Sequence, residues 1–222
     1  LKHALKAEQL GADALVVQGS EGGGHTGLTP TTILLSSVLE NVKIPVVAAG
    51  GFRDGSGLAA SLAWGASGIA MGTRFMMTEE SPVPHKTKKA YLSADIENIK
   101  ITKKFDGMSH RLIFNDYIAK IDRSNPFSLF IISITSAWKY KQLTKSSYLD
   151  LMKSFFAMLK GDDLTISQSV MSANSPAIIQ KAMVEGSPDE GAMPSGQVAG
   201  LISNLPTCCL LYTSPSPRDR VL

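Results

Sequence analysis

Lys43-Ile44-Pro45-Val46-Val47-Ala48-Ala49-Gly50-Gly51 is a short, continuously apolar run that stops at a pair of glycines. A strand with one wet face alternates apolar and polar residues. A run without alternation is buried on both faces, as in a parallel sheet covered by helices. Upstream, Thr31 to Glu40 places Ile33, Leu34, Val38 and Leu39 at helical spacing, with Pro30 near the start. Downstream, Asp54 stands where it would cap a helix from Gly55 to Trp64, and Gly65 where it would end it. Further out, Ala14-Leu15-Val16-Val17 precedes the first of these helices, and Ser67-Gly68-Ile69-Ala70-Met71 follows the second and is closed by Gly72-Thr73. Strands and helices alternate, which predicts an α/β fold with about three parallel strands.

Beyond about Ser81 the pattern changes. Helices are expected near 84–93, 112–122, 127–141, 147–159 and 175–184, with a return helix near 195–203 and no convincing strand. Pro126, Gly161, Pro176, Gly186 and Pro188 punctuate them. The expected organisation is β/α repeats over 1–83, a mainly helical second domain over 84–194, a return helix toward the first domain over 195–208, and a tail over 209–222. The tail, from Cys209-Leu-Leu-Tyr-Thr-Ser-Pro-Ser-Pro-Arg-Asp219, reads like a translated sequencing adapter and is set aside as non-native. The opening residues, Leu1 to Ala7, look like the middle of an amphipathic helix, so truncation at the N-terminus is expected.

Composition narrows the classes. With 222 residues, 44% apolar and 18% charged, the chain has the make-up of a globular domain. A net charge of +3 with scattered basic residues gives no footprint for nucleic acid or an acidic membrane surface. The longest strongly apolar run, Phe127 to Trp138, is short of the roughly 20 residues a membrane span needs. Two adjacent cysteines, Cys208 and Cys209, offer neither a disulfide framework nor a metal-type spacing, which fits a reducing, cytoplasmic setting.

Three loops follow the three strands, on the edge where β/α barrels carry their active sites. Ala49-Gly50-Gly51 and Met71-Gly72-Thr73 are about one repeat apart, the spacing of a two-loop phosphate cradle. Glycine lets backbone N–H groups approach an anion, and a helix start beyond adds partial positive charge. Glycines after strands also serve as plain turns, and the pattern leaves both readings open. The first loop, Gln18-Gly19-Ser20-Glu21-Gly22-Gly23-Gly24-His25-Thr26-Gly27, sets one histidine among five glycines. It reads either as a flexible turn or as backbone pressed against a flat cofactor, with His25 presented for proton transfer. His3, His85 and His110 have no evident partner and are expected to be solvated. Lys86, Lys88 and Lys89 read as a wet helix face, and Phe127, Phe130 and Trp138 as core or interface.

Three stretches together resemble the nitronate monooxygenase family: Gly11 to His25, Ile44 to Phe52, and Gly65 to Phe75. Lys160-Gly-Asp-Asp-Leu-Thr and Ser195 to Ile202 resemble that family's C-terminal region, so the likeness covers essentially residues 1–207. The resemblance implies the C-terminal part of a TIM-type β/α barrel holding non-covalent FMN. It implies that Ala49, Gly50 and Gly51 with Met71, Gly72 and Thr73 hold the FMN phosphate. Gln18, Gly23 and Gly24 would line the flavin or its ribityl chain, and His25 matches the active-site histidine. The family often carries alanine at position 23, and glycine here is expected only to loosen the loop. The implied reaction oxidises an alkyl nitronate to a carbonyl compound and nitrite with O₂. His25 would act as a base toward a nitroalkane Cα–H or as a donor to the nitronate. An NAD(P)H-dependent quinone or enoyl reductase is the alternative on the same scaffold, and an inactive truncated product the third. Partners would be the small-molecule substrate and O₂, with a homodimer compatible. The family's N-terminal strands are missing, so this stretch alone is expected to bind FMN weakly and to aggregate.

Overall fold

A computed structural model describes residues 1–125 and 166–213. Three strands, β1 (Leu15–Gln18), β2 (Val46–Ala49) and β3 (Gly68–Ala70), form a parallel sheet in the order β1-β2-β3. Helices α1 (Lys2–Gln9), α2 (Thr31–Leu39) and α3 (Gly55–Ala63) intervene, and α4 (Gly72–Met76) follows β3. Asp54 caps α3 as its position suggests: its Oδ1 accepts from the amides of Ser56 (2.9 Å) and Gly57 (3.3 Å). Val17, Leu35, Val38, Val46, Ala48, Phe52 and Ala66 form the core between sheet and helices.

Burial on both faces, expected of every strand, holds best at the central β2. At β1 Val17 is buried but Val16 is 68% exposed. Val16 and Val17 point to opposite faces, so at β1 one face is covered and the other is open.

The chain divides into two compact units: residues 1–82, 91–99 and 195–222 in one, 83–90 and 100–194 in the other. Within the second, the expectation of helices without strands fails. β4 (Ile99–Thr102) and β5 (His110–Ile113) are hydrogen-bonded neighbours. All four residues of β5 are buried, so no period-2 alternation marked it as a strand. The helix expected from residue 112 instead begins at Asp116. There Asn115 caps α6 (Asp116–Arg123) by accepting from the Ile118 amide at 2.8 Å. Phe105, Leu112, Ile118, Ile121, Ile178 and Ala192 form this unit's core.

Helix α5 (His85–Leu92) corresponds to the expected 84–93 segment, but Lys88 is only 5% exposed, against the reading of a wet lysine face. The helix expected from 175 starts earlier: α7 (Ile166–Met183) runs through Pro176. A proline inside a helix deprives the carbonyl four residues back of its donor. Here that carbonyl belongs to Ser172, and the Ser175 hydroxyl donates to it at 2.9 Å. The helices expected near 127–141 and 147–159, the aromatic run and the Lys160–Thr165 motif lie outside the described residues, as does the tail beyond 213. Residues 197–201 form a 3-10 turn rather than an α-helix, and Cys208–Tyr212 forms a short α8. None of the described helices is long and apolar enough to cross a membrane.

Candidate active site

The sheet register brings the three strand ends level. Gln18 pairs with Ala49, and Ala49 with Ala70, so the three loops open from one rim on adjacent parallel strands. His25, Gly50–Gly51 and Gly72–Thr73 therefore belong to neighbouring tips of a single edge. Parallel strands feeding successive helices dictate this arrangement, because every strand's C-terminal end faces the same way.

Gly50 and Gly51 adopt φ of +95° and +83°, a region L-residues rarely enter. That turn directs the chain from β2 toward α3. Among the described residues, none accepts a hydrogen bond from the amides of Gly50, Gly51, Gly72 or Thr73. Where a Cβ on Gly72 would stand, no protein atom lies within 4 Å, and its φ is not positive. Nothing in the described chain requires glycine there, whereas a ligand pressed against the backbone would. Over Gly51 only the Glu21 side chain approaches, at 3.5 and 3.8 Å. These residues fit a phosphate: amides of two neighbouring strand tips at one rim, with open space at Gly72, while Gly50 packs against Gly19, Gly22 and Thr31. The start of α3 contributes less than the sequence suggested, because the Asp54 carboxylate already occupies it.

In the first loop, the Gln18 Nε2 donates to the His25 carbonyl oxygen at 3.3 Å, and the Gln18 side chain folds over Gly22. Thr26 closes the loop by donating its hydroxyl to the Gly19 carbonyl at 3.2 Å. The His25 side chain is exposed. Gly24 has φ +72° and presents His25 directly beyond it.

Gly23 does not loosen the loop. A Cβ there would stand 2.5 Å from the Gly196 nitrogen and 2.6 Å from the Ser195 carbonyl carbon. Glycine is what lets the chain at 195–196 lie against this loop. The same segment reaches the third loop, where the Gly196 N–H donates to the Thr73 hydroxyl at 2.9 Å. Beside it Arg74, 5% exposed, donates to the Met77 carbonyl (2.6 Å) and the Asn204 carbonyl (2.9 Å). Burial, then repulsion from Arg53, lowers the Arg74 pKa from its ordinary value. Ser195, Gly196 and Arg74 thus brace the rim, a role foreshadowed only by the position of Arg74 after Gly72-Thr73 and by the expected return of 195–208 toward the first domain.

Of the remaining histidines, His3 and His85 are exposed as expected, but His110 is 3% exposed. Its Nδ1 lies 2.7 Å from an Asp106 carboxylate oxygen, and its ring packs edge-on against Phe105. The expectation of a solvated His110 without a partner is wrong. Asp106, four residues earlier on the buried side of the turn before β5, was not recognised as that partner.

Residues 1–214 match the nitronate monooxygenase family. Over 207 residues, 93% of the chain, the protein is 47% identical to a (3aS,4S,5R,7aS)-5-hydroxy-7a-methyl-1-oxo-octahydro-1H-indene-4-carboxyl-CoA dehydrogenase of Rhodococcus jostii, and covers 59% of it. Over 126 residues, 52% of the chain and 35% of the relative, it is 40% identical to a probable nitronate monooxygenase of Staphylococcus haemolyticus. A solved nitroalkane oxidase from Streptomyces ansochromogenes superposes with a TM-score of 0.67 at 26% identity, covering 99% of this chain and 56% of that one. The chain thus spans little more than half the length of the Rhodococcus relative and the solved nitroalkane oxidase. The chain belongs to the nitronate monooxygenase family.

Proposed function

We propose that the protein is an FMN-dependent oxidoreductase whose flavin phosphate is held at the rim formed by Ala49, Gly50 and Gly51 with Met71, Gly72 and Thr73. The observation that carries this reading is the level register of adjacent parallel strands, which sets side by side amides that have no acceptor among the described residues, with open space at Gly72. The three strands then form part of a TIM-type barrel. Gln18, Gly23 and Gly24 bring the first loop's backbone against the ring or ribityl chain, and His25 stands at its end.

When bound, FMN supplies the two-electron acceptor. The chain's own part is to orient substrate and to take a proton. For substrate we infer a carboxyl-CoA thioester carrying a ring hydroxyl, as in the name of the Rhodococcus relative. The support is 47% identity extending across 93% of this chain, against 40% across 52% for the Staphylococcus relative. His25 accepts the hydroxyl proton as the carbinol C–H bond breaks and the carbonyl forms. Nitronate oxidation is the second reading, favoured by the family match and by the nitroalkane oxidase fold. There His25 takes the proton from the nitroalkane carbon.

Anaerobic mixing of the full-length protein with a hydroxylated bicyclic carboxyl-CoA, a propyl nitronate or NADH tests the three reactions. Flavin bleaching by the CoA ester alone is expected. Bleaching by nitronate selects the second reading, and prompt bleaching by NADH selects a reductase. A purified protein without flavin absorbance contradicts the proposal.

A further inference from the structure

We propose that Glu21 is a positioning residue that clasps the rim into its flavin-holding shape, an inference that rests on the flavin reading above. Its carboxylate accepts from the Thr31 amide (2.9 and 3.2 Å), the Thr31 hydroxyl (2.7 Å) and the Ser20 hydroxyl (3.3 Å). Thr31 opens α2, whose N-cap Pro30 has no capping side chain and whose first turn holds no acidic residue. The anion that a helix start favours therefore comes from ten residues upstream. The Thr31 hydroxyl also lies 3.1 Å from the Gly50 carbonyl, so the clasp reaches the second loop. The main chain of Glu21 reaches the return segment: its carbonyl accepts from the Gln197 amide at 2.9 Å.

One residue thus joins the first loop, α2, the Gly50 turn and the 197–201 turn. Three donors converge on the side chain, and a carboxylate, with two oxygens that only accept, suits them better than an amide. Its charge is taken up by α2, which leaves the outer amides of Gly51 and Gly72 for another anion. Without it the Thr31 donors lose their acceptor, and the loop carrying His25 loses its tie to the cradle.

The test uses the full-length protein and its Glu21→Ala, Glu21→Gln and Val38→Ala variants. Val38 is buried at the far end of α2 and reports general destabilisation. Hydrogen exchange without flavin reads the clasp, and FMN titration by flavin fluorescence reads its purpose. Glu21→Ala is expected to speed exchange at Thr31 about tenfold and to weaken FMN binding by a similar factor, with partial recovery in Glu21→Gln. Val38→Ala is expected to lower the melting temperature but leave the FMN Kd within about twofold. Unchanged Thr31 exchange in Glu21→Ala overturns the clasp. An FMN loss that follows melting temperature alike in Glu21→Ala and Val38→Ala overturns the positioning role. A wild-type protein that protects Thr31 but takes up no FMN removes the flavin reading and the positioning role, and leaves only the clasp geometry.

Discussion

The Gly196 N–H donates to the Thr73 hydroxyl at 2.9 Å, joining residues 123 positions apart at the edge of the proposed phosphate cradle. Thr73→Val keeps the shape and removes the acceptor. A loss of about 1 kcal/mol in stability is expected from the orphaned amide, with weaker FMN binding. Thermal unfolding with and without added FMN checks it, and the gap between wild type and variant should widen when FMN is present.

Gly23 and Gly27 sit in the same loop yet should respond differently to alanine. At Gly23 the new Cβ meets backbone at 2.5 Å, which cannot move without shifting residues 195–196; at Gly27 nothing lies within 4 Å. Gly23→Ala is expected to cost about 1–3 kcal/mol. Gly27→Ala should stay within about 0.5 kcal/mol of wild type. Denaturant midpoints measure both.

The β/α repeats were legible because their signals are local. Apolar runs ended in glycine, Asp54 stood one residue before its helix, and Pro30 stood at the start of another. The level rim followed from the same alternation. What was hidden depends on pairs far apart in the chain or on buried polar groups. Gly23 against Gly196 and Glu21 against Thr31 leave no periodic trace. In the second unit, β5 is buried on all four residues and carries His110 and Arg111, which reads as no recognised pattern. Pro176 read as punctuation near the start of a helix over 175–184, because the hydroxyl of Ser175, which serves the Ser172 carbonyl inside the longer helix, only shows in three dimensions.

His25→Ala should retain FMN, since the role proposed for it is chemical, but turnover should fall about a hundredfold or more if it moves the proton. Steady-state rates at saturating substrate check this. Turnover equal to wild type would remove His25 from the chemistry.

Burial raises the Tyr91 pKa above its ordinary value of 10.0. In the unfolded chain the phenol ionises near pH 10, while in the fold it stays protonated. The unfolded state then binds fewer protons, so this contribution to stability is present below pH 10 and lost as pH rises above it. Unfolding followed from pH 9 to 11 should show that decline, and Tyr91→Phe should flatten it.

Residues 1–208 expressed alone are expected to aggregate without flavin. Val16 and Ile33 are exposed at 68% and 63%, and β1 and β3 are both edge strands of this sheet. Light scattering and absorbance of the purified fragment check it; a soluble yellow monomer would contradict it.

A crystal structure of the full-length protein with FMN bound locates the phosphate relative to the three strand tips. Phosphate oxygens are expected within about 2.7–3.2 Å of the amides at Gly51 and at Gly72 or Thr73, with the ring beside His25. A phosphate bound at another edge, away from these three strand tips, would contradict the proposed cradle.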